Sequence, residues 1–296
     1  SHREQTVETG SSNLALTSSG VAALSSVTGR TGSAVGQAPS DGRHGGALTS
    51  EWAMVEALLA RPEHRPLIRE VPRLSAQSEA RLIALYRAGG GPWSKQHIVR
   101  MLAFGGGSAT AQVLREAVTK EYAGKHVSPA DEVILGFIPQ LCGVLARHND
   151  DALRFLLEGS RPEYWSGQHL WQGDRVSVRI LTGACIQGLG WSGRQEARAL
   201  LDWYRNHPET VGMKEHDGTV GSVAGAVVDA AFSLQLIRGT GIEAAMDEVF
   251  YDPDVAYRRF REWLKTPDGV EWSDWVRRAD FAVTANARKQ TNSMGR

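Results

Sequence analysis

The sequence predicts an all-α fold, with a single helical core domain and extended N- and C-terminal arms. Between about residues 50 and 265, apolar residues recur at the spacing of one helix face. Glycine-rich breaks separate these segments, and strand-like alternation is confined to residues 175–181, where a helix is equally compatible. Hydrophobic residues make up 42% of the 296 positions, which is enough for a substantial core.

Composition divides the chain into three parts. Glycine and serine supply 18 of the first 50 residues, so residues 1–50 bury too little apolar surface to order by themselves. We interpret them as an arm that is either disordered or ordered only against another subunit. Residues 51–250 form the predicted helical core, and residues 251–296 form the C-terminal helix and arm. This last part contains a basic cluster at residues 258–261 and a polar end from Asn286.

The core helices are predicted from capping residues that precede apolar stripes. A strongly apolar helix is expected from Pro129 through Leu145, followed by a helix capped by Asn149. The other predicted helices begin near Ser50, Ser78, Ser94 and Ser108 and cover about 194–206, 223–238 and 241–250. Glycine-rich breaks fall at residues 89–91, 105–107 and 239–241.

A weak internal repeat suggests a second architecture. Five leucines each lie toward the end of an apolar helix, with successive spacings of 43, 43, 44 and 47 residues: Leu59, Leu102, Leu145, Leu189 and Leu236. This period falls in the range of the two-helix units that form HEAT and armadillo arrays. A HEAT-like α-solenoid is therefore the alternative fold.

Motifs that carry chemistry are weak in this sequence. Residues 188–193 fit the nucleotide-binding pattern G-x-G-x-x-G, but their surroundings are helical and lack βαβ alternation, so we predict a glycine-rich turn between helices. The nine histidines are scattered, without metal-ligand spacing. Cys142 and Cys185 are predicted to be reduced core thiols. We therefore expect no enzymatic activity, no metal and no cofactor.

Charge and hydropathy limit the classes of partner. Lysine plus arginine and aspartate plus glutamate both number 33, so the net charge is zero. This balance argues against a strongly basic nucleic-acid binder but is compatible with a local basic groove. No run of about 18 apolar residues exists, so we expect no membrane partner.

Residues 137–179 carry a resemblance to a known family. An apolar helix with Gln140 and Cys142 is followed by a block that ends at Trp165, and Arg175 then opens a third block. This order resembles the core of coat proteins from flexuous filamentous plant viruses of the potexvirus and carlavirus kind. The residues in step with that family are Gln140, Cys142, Ala146, Leu156, Ser160, Pro162, Trp165 and Arg175.

The chain departs from the family pattern at three points. Pro139 occupies the position of a family arginine, and two extra residues separate Cys142 from Trp165. Residues 176–180 lack the aspartate of the family's third block, so the family's arginine–aspartate pair is absent in that form. The resemblance covers about 45 of the 296 residues.

The resemblance implies a structural protein rather than an enzyme. Such a protein would polymerise helically with copies of itself through the N-terminal arm and encapsidate single-stranded RNA, in a virion or the host cytoplasm. The implied RNA-binding residues are the cations Arg161, Arg175 and Arg179, with Gln140 and Trp165 as supporting groups. Because no reader of base edges is evident, the expected RNA binding is tolerant of sequence.

The alternative fold implies an alternative function. A HEAT-like solenoid would act as a scaffold for protein–protein interaction, in a bacterial cytoplasm or as a secreted effector. It predicts a monomer without bound nucleic acid, with an interaction face built from second helices such as 194–206.

Overall fold

The predicted all-α class is confirmed. A computed structural model describes residues 45–61, 68–173, 177–211 and 221–294, and within these ranges the chain forms thirteen α-helices and no strand. The helices are α1 (Gly45–Leu59), α2 (Ala76–Arg87), α3 (Lys95–Gly105), α4 (Ser108–Glu116), α5 (Pro129–Leu145), α6 (Asp150–Gly159), α7 (Pro162–Ser166), α8 (Val178–Ser192), α9 (Gln195–Asn206), α10 (Gly221–Thr240), α11 (Ile242–Tyr251), α12 (Pro253–Trp263) and α13 (Pro267–Met294). None of the described helices combines the length and apolarity that a membrane crossing requires.

Side-chain caps fix several helix starts. The Asn149 side chain accepts a hydrogen bond from the Ala152 amide at the start of α6, as the sequence predicts. Ser177 caps α8 in the same way, so the end of the ambiguous segment 175–181 is helical. Helix α2 begins one turn earlier than expected, because Ser75 rather than Ser78 supplies the cap.

The central helices form consecutive pairs. Short connections join α3 to α4, α5 to α6, α8 to α9 and α10 to α11, and the two helices of each pair contact each other. The first helices of the pairs pack in series, α3 on α5, α5 on α8 and α8 on α10. Four of the repeating leucines lie on these first helices, and all four are buried: Leu102, Leu145, Leu189 and Leu236.

Helices α8 and α10 run parallel and stay in step along their length. The space beside Gly183 is bounded by Ala226, and one turn later the Gln187 amide lies 3.2 Å from the Asp229 carboxylate. Gly190 then meets Ala230. Parallel stacking of equivalent helices is the geometry of a two-helix repeat, so these contacts support the HEAT-like alternative for the middle of the chain.

The prediction of a glycine turn at residues 188–193 is wrong for most of that segment. Helix α8 continues to Ser192, and only Gly193, with φ of 63°, forms the left-handed residue that ends it. A Cβ at Gly188 would lie 2.6 Å from the Pro139 carbonyl oxygen of α5, and one at Gly190 would lie 2.5 Å from Cα of Ala230 on α10. The two glycines are about 200° apart around the helix, so each lets a different neighbour approach.

The packed body continues past residue 250. Phe260, Trp272 and Trp275 are buried, and the Trp275 indole Nε1–H donates to the Tyr204 carbonyl oxygen at 2.8 Å. Helix α13 extends to Met294, where the sequence predicts a polar arm from Asn286. Of the predicted N-terminal arm, residues 45–50 belong to α1, and residues 1–44 lie outside the described residues.

Candidate functional site

The candidate site is an open groove between the C-terminal half of α10 and helix α12. Its volume is about 370 Å³, near the lower end of the range for small-ligand pockets. Its walls are formed by Phe232, Gln235, Leu236, Gly239, Thr240, Arg258, Arg259, Glu262 and Trp263.

The floor of the groove is aromatic. The apolar residues Ala256, Phe260 and Trp263 recur at helical spacing on α12 and are buried against the core. The Phe232 ring of α10 lies 5.2 Å from the Phe260 ring and 5.6 Å from the Trp263 ring, between ring centroids. These large rings hold the two helices apart, and the space between the helices forms the groove.

The rim of the groove carries positive charge from α12. Arg259 forms an ion pair with Glu248 at 2.7 Å, and Glu262 pairs with Lys265 at 2.7 Å. The Arg258 side chain is exposed, and none of the side chains that the structure describes forms an ion pair with it. Arg258 is therefore the cation at the rim that is available to an anionic group from outside.

The opposite wall lacks a side chain at one position. Helix α10 ends at Thr240, and Gly241 turns the chain with φ of 80°. A Cβ placed on Gly239 would meet no heavy atom within 4 Å, so the wall is open at this point. The Thr240 hydroxyl donates to the Leu236 carbonyl oxygen at 2.8 Å and is already satisfied.

A second polar cluster joins the starts of α3 and α5. Lys95 Nζ donates to the Tyr122 hydroxyl at 2.8 Å and to the Asp131 carboxylate at 2.9 Å. Burial alone would lower the pKa of Lys95, but these two hydrogen bonds outweigh it and raise that pKa. Burial also raises the pKa of Tyr86 beneath the cluster. Because the pKa values of Lys95 and Tyr86 are both raised, these side chains keep their protons. The cluster therefore fits a role in holding the helices together better than acid–base chemistry.

The two cysteines are core thiols, as predicted. Both thiols are free and buried, Cys142 on α5 and Cys185 on α8. Burial raises the pKa of Cys142 to about 12 and raises that of Cys185 well above its usual value. Because the thiolate is the reactive form, neither cysteine is a nucleophile near neutral pH. Among the described residues, no group of three or more His, Cys, Asp or Glu side chains is placed to hold a metal ion.

The predicted RNA-binding residues are dispersed around α5, α7 and α8. Gln140 is half-buried on α5, Arg161 is exposed just before α7, and Arg179 is half-buried in the first turn of α8. Arg175 lies outside the described residues. None of the four predicted residues that the structure describes lines the α10–α12 groove.

Trp165 has a structural environment in this fold. Its side chain is 1% exposed, and its indole Nε1–H donates to the Gly159 carbonyl oxygen at 2.6 Å. Phe155 and Tyr164 pack edge-on against its ring. Trp165 therefore offers no ring face to a nucleotide in this conformation, which does not fit the supporting role in RNA binding implied by the resemblance.

Sequence reasoning predicted no site at this groove, although it noted the basic cluster at residues 258–261. Two residues of that cluster, Arg258 and Arg259, line the groove. Phe232, Leu236 and Gly239 carry no local pattern that separates them from ordinary helix positions, because their role depends on α12 packing beside them. Comparison with protein-family models, curated protein sequences and solved structures found no match to this chain.

Proposed function

We propose that this protein is a helical-repeat scaffold that binds a protein partner. The observation that supports this proposal best is the parallel packing of two of the first helices, α8 and α10, seen where Gly183, Gln187 and Gly190 of α8 meet α10. Stacked helix pairs of this kind form extended surfaces that other proteins bind. The proposal corresponds to the alternative function that the leucine repeat predicts.

The groups whose chemistry would suit an active centre have structural roles in this fold. Of the three glycines in the G-x-G-x-x-G match, Gly188 and Gly190 are helix contacts and Gly193 ends α8, and both cysteines are buried. Lys95, whose pKa is raised, ties together two helix starts through its hydrogen bonds to Tyr122 and Asp131. These assignments favour a binding protein over an enzyme.

RNA encapsidation stays a prediction from the resemblance over residues 137–179. Two of its five proposed residues do not add support, since Trp165 is buried and Arg175 lies outside the described residues. The exposed Arg161 is the residue through which this hypothesis can be tested directly.

Particle mass and nucleic-acid content separate the two functions. Full-length protein purified without nuclease is examined by light scattering coupled to gel filtration, with absorbance read at 260 and 280 nm. The scaffold proposal expects a single species near the chain mass of 32.2 kDa with a protein-like absorbance ratio. Large polymers with bound RNA would contradict it, and loss of that RNA in the Arg161→Glu variant would support encapsidation instead.

A further inference from the structure

We propose that the α10–α12 groove binds an acidic, amphipathic peptide segment of the protein partner. In this arrangement an apolar side chain of the peptide rests on the floor formed by Phe232, Leu236 and Trp263, and a carboxylate pairs with Arg258. This inference rests on the proposed scaffold function and adds the chemistry of the partner to it.

The apolar half of the proposal follows from the floor. Leu236 and Trp263 are each 8% exposed and Phe232 is 6% exposed, and the exposed parts of all three border one groove. A groove of about 370 Å³ accommodates one or two large side chains rather than a folded surface. Helical and extended peptides commonly bind such grooves through one or a few apolar anchors.

The acidic group of the proposed peptide is inferred from the positive charge on the rim of the groove. Arg258 is exposed beside the apolar floor, while the neighbouring charges of Arg259 and Glu262 are occupied by Glu248 and Lys265. Arg261, on the outer face of the same helix, lies 5.8 Å from the centre of the Tyr257 ring and adds a second exposed cation. This positive edge complements a peptide that carries Asp or Glu next to its apolar anchor.

The same geometry disfavours a polynucleotide as the occupant. Base stacking requires an open ring face, but Trp263 stacks on Phe260 with 28° between the ring planes, and both rings are largely buried. A nucleic-acid backbone also requires a track of cations, whereas the two exposed cations described here, Arg258 and Arg261, lie within one turn of α12. A peptide with one apolar anchor and one acidic group fits both features.

Two glycines on α10 provide a matched pair of variants. A Cβ on either Gly239 or Gly225 would meet no heavy atom within 4 Å, so the first carbon of a larger side chain is accommodated at both positions. Only Gly239 lines the groove, so Gly239→Leu narrows it while Gly225→Leu leaves it unchanged. For charge, Arg258→Glu reverses the sign of the side chain on the groove rim, and Arg277→Glu on α13 makes the same change at an exposed position that does not line the groove.

The experiment selects peptides with the full-length protein. A displayed library of random twelve-residue peptides is panned against the wild-type chain, and enriched peptides are synthesised with a fluorescent label for anisotropy titration. We expect enriched sequences to combine an aromatic or aliphatic anchor with Asp or Glu. Gly239→Leu and Arg258→Glu should each weaken binding by about tenfold or more, whereas Gly225→Leu and Arg277→Glu should stay within about twofold of wild type.

Several results would overturn the inference, and they differ from a failure of the scaffold proposal. The groove assignment would be refuted if the enriched peptides were not acidic or if no peptide were enriched. It would also be refuted if Gly239→Leu and Arg258→Glu both bound the peptides with wild-type affinity. Labelled poly(U) that binds the wild type and is lost in Arg258→Glu would identify a polynucleotide site instead. A monomeric, RNA-free protein with any of these results keeps the scaffold proposal, whereas an RNA-filled polymer removes it.

Discussion

The middle of the helical stack and its C-terminal end pack by opposite means. Between α5, α8 and α10, the closest contacts involve glycine and alanine, including Gly143 against Gly188 and Gly190 against Ala230. Between α10 and α12, the contacts involve the large rings of Phe232, Phe260 and Trp263.

This difference in packing explains why the groove lies at the C-terminal end of the stack. Small residues let two helix backbones touch, so the central helices leave no room between them. Aromatic residues separate the helices at the C-terminal end, and their irregular outlines leave the α10–α12 groove. We therefore expect the middle of the stack to be rigid and tightly packed, and its C-terminal end to provide the binding surface.

The largest effect is expected from removing the most buried ring at the C-terminal end. Trp275 is 0% exposed and its indole hydrogen-bonds to α9, so Trp275→Ala leaves a cavity and removes one of the hydrogen bonds that the Tyr204 carbonyl accepts. We expect the free energy of unfolding to fall by about 3–5 kcal/mol, measured by urea denaturation followed by circular dichroism.

A second tryptophan serves as the control for this prediction. Trp203 on α9 is 43% exposed, so Trp203→Ala should change the free energy of unfolding by less than about 1 kcal/mol. Similar small losses for both variants would mean that α13 is not part of the cooperative core.

The closed middle of the stack is tested by adding a single carbon. In Gly190→Ala the new Cβ would lie 2.5 Å from Cα of Ala230, so α8 and α10 must separate. The resulting strain exceeds the gain in helix propensity, and we expect a net destabilisation of about 2 kcal/mol in urea denaturation. An unchanged or higher midpoint would show that the two helices are not in contact at Gly190.

The polar pair Gln187 and Asp229, between α8 and α10, makes the stability of the protein depend on pH. Burial raises the pKa of Asp229 from its usual 3.8 to about 7, and the hydrogen bond from Gln187 opposes this rise only in part. Because the folded pKa is above the unfolded one, this group's contribution to stability is lost as the pH rises from about 4 to about 7.

Asp229→Asn removes that dependence, because the amide stays neutral at every pH. Since part of the residue is accessible, we expect a gain on the order of 1 kcal/mol above pH 7, smaller than the full shift implies. Urea midpoints of both proteins at pH 5 and pH 8 test this. A difference between the two proteins that is the same at both pH values would contradict a raised pKa at Asp229.

The sequence-based predictions were accurate where a structure is determined by residues close together in the sequence, and inaccurate where it is determined by contacts between distant helices. Helix α5 begins at Pro129 and ends at Leu145 as predicted, because its cap and apolar stripe lie within the helix itself. The glycines at 188 and 190 were misassigned to a turn, because the residues that they contact, Pro139 and Ala230, lie on two different helices. The groove shows the same division, since the residue 258–261 cluster is evident in the sequence but its apolar floor depends on tertiary packing.

The smallest effect distinguishes a glycine that packs from one that does not. Gly225 lies on α10, as does the contact partner of Gly190, but a Cβ on Gly225 would enter open space. Gly225→Ala should therefore raise the free energy of unfolding by about 0.5–1 kcal/mol, because alanine loses less backbone entropy in a helix. Opposite signs for Gly190→Ala and Gly225→Ala in the same urea assay would assign the effect at Gly190 to contact between helices. If both substitutions changed the free energy of unfolding in the same direction, local helix propensity would explain both effects. The conclusion that the central helices pack without space between them would then lose its support.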